Sequence, residues 1–141
     1  DAQVLPIWEG TTNVLSLDTL RALKQDGVWE AFAGEIHARL GAATDPRLQG
    51  AVEHSQAAVQ HAGRWLQEAL EERPLLEAGA RRFAMTLGRA TELALLVDHA
   101  QWCLDQRKGE RALAAARRFA RSRIDFIEDE EFTSESRLLV D

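Results

Sequence analysis

The stretch that decides the fold is residues 76–104, LEAGARRFAMTLGRATELALLVDHAQWCL. Leu76, Ala80, Phe83, Leu87, Ala90, Ala94, Val97, Gln101 and Leu104 fall at alternating steps of mostly three and four residues. That period places them along one face of a helix. Around residues 93–97 the apolar residues spread to nearly all sides. Such a helix is expected to be the most buried of its fold. Lys108 and Gly109 predict its end, with a basic last turn and a glycine at the C′ position.

Working towards the N-terminus, Pro74 predicts a break. Residues 46–72 repeat the pattern at Leu48, Val52, Ser55, Val59, Ala62, Leu66 and Ala69. Thr44-Asp45-Pro46 supplies a helix start: a capping side chain, then a proline whose missing N–H costs nothing there. A helix over 28–40 presents Trp29, Phe32, Ile36 and Leu40, and Asp26-Gly27 ends an earlier one carrying Leu17, Leu20 and Leu23. Towards the C-terminus, a helix over 110–127 uses Leu113, Ala116, Ala120, Ile124 and Ile127. Small alanines on the seams and short connections predict an all-α antiparallel bundle of four to five helices.

Composition agrees. Of 141 residues, 45% are hydrophobic and 28% charged, which suits one folded domain and excludes a disordered chain. A single cysteine excludes an internal disulfide framework. No apolar run approaches the roughly 20 residues that span a bilayer, and no leader is visible, so a cytoplasmic, membrane-free protein is expected. The net charge of −6 comes entirely from residues 125–141, because residues 1–124 hold equal numbers of acids and bases. A neutral body with an acidic tail is not the footprint of a nucleic-acid clamp.

Most motifs with chemical meaning are missing. His37, His54, His61 and His99 have no metal-ligand spacing, and His54 and His61 stand about 10 Å apart along a helix. Cys103 beside Trp102 reads as a buried structural thiol. No nucleophile elbow or phosphate loop occurs. Arg111, Arg117, Arg118, Arg121 and Arg123 give the last helix a basic face. It could bind phosphates, but the acids at 128–131 favour a solvated, locally neutralised face.

The first residues are different. Trp8-Glu9-Gly10-Thr11-Thr12-Asn13 precedes a leucine-rich helix. A carboxylate just before a helix start, beside an aromatic, can be held in an apolar pocket. Its pKa then rises towards that of a general base. Gly10 allows close approach of a ligand, and the threonines with the helix-start N–H groups can bind polar cofactor atoms. On the residues alone, a capped helix start with an incidental glutamate stays the simpler account.

Residues 7–15 nevertheless resemble the aromatic-Glu-Gly-Thr motif of the acyl-CoA dehydrogenases. The longer string from Asp1 to Gly10, with Leu17-Asp18 after it, is most similar to the AidB-like branch, where Trp can replace the usual Tyr or Phe. The resemblance covers about the first 24 residues. It implies that Glu9 is the catalytic base, that Trp8 and Gly10 line the substrate, and that Thr11, Thr12 and Asn13 contact FAD. It implies residues 1–24 as the end of the family's C-terminal helical domain, 25–127 as a helical extension and 128–141 as an acidic tail. The chain is then one piece of an FAD-dependent enzyme that desaturates acyl-CoA thioesters. That piece, unable to hold FAD alone and inactive by itself, packs on the remaining chain or forms homo-oligomer contacts. The alternative is a nucleic-acid-associated helical module.

Overall fold

The computed structural model describes residues 12–71 and 73–128, and the described residues form helices without strands. Helix α1 spans Thr12–Leu23, α2 Val28–Gly41, α3 Gln49–Glu71, α4 Arg73–Asp105 and α5 Arg111–Ala120, with a 3-10 turn at Pro46–Leu48 before α3. The all-α bundle expected from the seams is the fold. No helix among the described residues is long and apolar enough to cross a membrane.

Local chemistry sets the boundaries. Gly27 adopts φ 76° between α1 and α2, a left-handed conformation natural to glycine. Asp45 accepts a hydrogen bond from the Arg47 N–H and so caps the turn that Pro46 opens. Pro74 does not lie in a gap between helices but in the first turn of α4, where its absent N–H has no partner to lose. The end of α4 also differs from expectation. Arg107, at φ 52°, takes the left-handed C′ position; its N–H reaches Leu104 O, and the Lys108 N–H reaches Cys103 O. Gly109, at φ 90°, serves the following turn instead.

Helix α4 touches all four other helices. Antiparallel to it, α3 sets Ser55 against Ala90, with the Ser55 hydroxyl donating to the Ala90 carbonyl, and stacks Trp65 on Phe83. Among the described residues, two clusters fill the interior. One is aliphatic and alanine-rich, around Leu48, Val52, Val59, Leu93 and Val97. The other gathers Trp65, Leu66, Phe83, Leu87, Leu20 and Leu23. Most polar groups inside are paired, the buried Arg89 Nε being an exception. The Gln101 carbonyl oxygen, for example, accepts from the Thr44 and Asp45 N–H groups, both at 2.9 Å, which fixes the α2–α3 connection on α4.

Helix α5 ends at Ala120 rather than continuing to 127. The Ser122 hydroxyl donates to Phe119 O, which competes with further helix. Residues 121–128 then run as a strap. In a helix, Ile124 and Ile127 would lie about 4.5 Å apart along one face, but residues 123–128 are not helical. The strap therefore delivers Ile124 to the aliphatic cluster and Ile127 to the aromatic one. Both residues are buried, as their seam positions imply, but by non-helical backbone.

Candidate functional site

The resemblance places its site at the entry to α1. Trp8, Glu9, Gly10 and Thr11 lie outside the described residues, as does the tail beyond 128. Thr12 and Asn13 open α1, and only their backbone is described. What the structure does give is how that helix is held. Leu20 and Leu23 are buried in the aromatic cluster with Leu17 packed against it, and the Thr19 hydroxyl donates to Leu15 O at 2.9 Å. The segment that follows the Glu9 motif is thus fastened to α4.

Among the described residues the principal polar cluster holds the strap. His61 Nδ1 lies 2.6 Å from Asp125 Oδ2. The other carboxylate oxygen accepts from the Thr86 hydroxyl at 3.3 Å and from the Ile127 N–H at 2.9 Å. The Thr86 hydroxyl in turn accepts from the Phe126 N–H at 2.8 Å. Seven residues before His61, His54 Nδ1 lies 2.9 Å from the Ala120 carbonyl oxygen. A groove of about 340 Å³ runs beside them, floored by Ala57, Ala58 and Ile124 and rimmed by His54, Arg121 and Asp125. With both oxygens of Asp125 engaged, this arrangement anchors backbone. It does not present a base to a substrate. The seven-residue spacing of the two histidines is visible in the sequence, but the helix end that His54 binds and the non-helical strap that His61 binds are not.

The strongest ionic constellation is likewise structural. Arg47 grips Asp45 through Nε and Nη2 at 2.9 and 2.8 Å and reaches Glu110 at 2.6 Å, tying the turn before α3 to the start of α5. These hydrogen bonds from the Arg47 side chain, and then from its N–H, hold the Asp45 carboxyl down at about 2. The same partners raise the Arg47 guanidinium further above its ordinary range. Cys103 is buried with its Sγ 3.6 Å from His99 Nε2. No group of three or more His, Cys, Asp and Glu side chains among the described residues is placed to hold a metal ion. On the basic face, Arg123 and Arg82 both pair with Glu128, and Arg89 stacks on Phe119. Arg111, Arg117, Arg118 and Arg121 are exposed and make no ion pair among the described residues.

Comparison with known proteins decides what this bundle is. Residues 27–138 match the model of the acyl-CoA dehydrogenase 11 C-terminal domain-like family. The chain belongs to that family. It is also 37% identical, over 107 residues, to acyl-CoA dehydrogenase family member 11 of Caenorhabditis elegans. That alignment takes in 71% of this chain and 17% of the relative. No solved structure matches the chain. The acyl-CoA dehydrogenase 11 C-terminal domain-like match begins at the turn before α2 and spans α2 to α5 and the strap. The bundle is thus an acyl-CoA dehydrogenase family C-terminal portion, and the segment matched to that model excludes the Glu9 motif.

Proposed function

We propose that the longer protein containing this chain is a cytoplasmic, FAD-dependent acyl-CoA dehydrogenase of the AidB-like branch, and that the bundle serves packing and subunit contacts. The observation that carries the reading is adjacency. A family-matched bundle at 27–138 stands directly behind the Trp8-Glu9-Gly10-Thr11 string, which resembles the motif of the same family through independent residues.

The chemistry is distributed along a short stretch. Glu9 removes the α-proton that the thioester carbonyl acidifies. Trp8 bounds the pocket, and its bulk relative to Tyr or Phe limits the space for the acyl chain. Gly10, lacking a Cβ, lets the substrate lie against the backbone. FAD, when bound, supplies the acceptor for the hydride leaving the β-carbon. Residues 12 and 13 fit that cofactor, because they form the first turn of α1, whose backbone N–H groups have no intrahelical partners. The bundle offers no further cofactor machinery among its described residues, and the isolated piece is expected to be catalytically silent.

The test is made on the longer protein. It should purify yellow and reduce an electron acceptor with an acyl-CoA. Glu9→Gln should lose at least about 100-fold in turnover, the low end for removal of a general base, while keeping its flavin. A colourless protein, or full turnover in the variant, overturns the reading. A nucleic-acid role is the second reading, favoured by Arg111, Arg117, Arg118 and Arg121. It predicts DNA retention that weakens with salt and with loss of those arginines.

A further inference from the structure

The family-matched segment begins at residue 27, so α1 lies ahead of it. Yet α1 is seated in that segment. Ser16, Leu20 and Leu23 fall at steps of four and three residues, and all three are buried. Leu20 is 1% exposed and shares a cluster with Trp65, Leu76, Phe83, Leu87 and Ile127. Helix α1 needs this support. At 12 residues it has the length at which an isolated helix is marginal in water. Its first turn holds no acid to answer the helix dipole, and its Arg21–Asp18 ion pair is exposed and adds little. Packing on the aromatic cluster is what makes residues 12–23 a stiff rod.

We propose that the aromatic end of the bundle positions Glu9 for its reaction: Leu20, seated in the cluster around Phe83, fixes α1, and α1 fixes the backbone that enters it. This rests on the reading of Glu9 as the base and adds to it a dependence of turnover on a side chain of the bundle core.

The distances along the chain are short. Two residues, Gly10 and Thr11, separate Glu9 from the first residue of α1. Buried Ser16 lies one turn beyond Thr12, about 6 Å along the axis. Val14 and Leu15, between them, are 47% and 49% exposed, so the described residues hold this helix from one side. A general base must come within hydrogen-bond reach of the proton it takes, and a displacement of about 1 Å is enough to cost about 100-fold in rate. The cluster under α1 is suited to that precision, because its central ring, Phe83, is wholly buried and Trp65 stacks on it at 5.0 Å. Leu20 acts through α1 and not on the substrate, which makes it a positioning residue. The contact that joins α1 to the matched segment thus has a catalytic use besides holding the two together.

The experiment compares three variants of the longer protein: Leu20→Ala, Leu20→Met and Leu48→Ala. Leu48 is as deeply buried as Leu20, but in the aliphatic cluster, which takes no residue from α1. Each variant is assayed for flavin content, kcat and KM, with an acyl-CoA and with its α-deuterated form. Leu20→Ala should keep its flavin, lose about 10- to 100-fold in kcat at little change in KM, and respond more strongly to α-deuteration than the unsubstituted protein. A merely structural loss would lower the folded fraction and leave the isotope effect where it was. Leu20→Met, which conserves volume, should recover most of the turnover, and Leu48→Ala should keep its kcat. Leu23→Ala, at the rim of the cluster, carries the same expectations if Leu20→Ala does not fold. An unchanged kcat or isotope effect in the folded variant, or an equal loss in Leu48→Ala, overturns the proposal and leaves the dehydrogenase reading standing. Full turnover in Glu9→Gln overturns both, so the two failures have different signatures.

Discussion

The two ends of the bundle are packed on different terms. At the aliphatic end Ala51, Ala58, Ala90, Ala94 and Ala116 meet branched side chains, and the helices approach through many small contacts. At the aromatic end the space is taken by a few large rings: Trp65 stacks on Phe83 at 5.0 Å, and Trp29 lies 6.4 Å from the same ring. Rings of that size fit between helices only where a neighbour gives way. Gly63 lies under Trp29, where an added Cβ would come within 2.8 Å of Cζ2, and Gly79 lies still more tightly under Trp65. One end therefore draws its order from repetition. The other depends on individual matches between a ring and a missing methyl group.

The largest test removes the ring on which the aromatic end is built. Phe83 is wholly buried, and Phe83→Ala should cost about 3–5 kcal/mol in urea unfolding, with an unchanged fold at the aliphatic end by hydrogen exchange. A smaller cost would mean that the rings repack and that the contrast is weaker than drawn. Next comes a matched pair of glycines. Gly79→Ala should destabilise by about 1–3 kcal/mol, because Trp65 must move. Gly50→Ala, at the aliphatic end with nothing within 4 Å, should instead stabilise by about 0.5–1 kcal/mol through helix propensity. Equal effects at the two sites would erase the distinction. The smallest effect concerns the aliphatic end alone. Asp45 titrates at about 2, below its ordinary 3.8, so its contribution is present above about pH 4 and fades as the pH falls through about 2. Asp45→Asn should flatten the dependence of the urea midpoint on pH in that window.

Much of this was legible in the sequence, because it rests on period. Every seam residue assigned to the stretch 46–72, from Leu48 to Ala69, is buried, and on α4 all but the half-buried Leu104 are. Helical spacing carries that information wherever one face is covered. The strap escaped because Ile124 and Ile127 satisfy helical spacing and non-helical burial alike. Hydrogen bonds to residues far along the chain, Thr86 and His61, decide between the two. Arg107 was missed at the end of α4 because a left-handed C′ position calls for glycine, and Gly109 stood only two residues away. The near-total apolarity around 93–97 correctly marked the central helix but concealed that Leu95 faces outward. The Glu9 motif was read by likeness alone, since no periodicity predicts a base, and it lies outside the described residues.

The strap has one more consequence. Ile127 sits in the same cluster as Leu20 and Leu23, so the first and last described segments share a single anchorage. A load applied to α1 from upstream, or to the strap from downstream, is borne by the same handful of side chains around Phe83. Mechanically the bundle resembles a clasp whose two cords are knotted at one point: tension on either cord is felt at the other, and slackening that knot frees both.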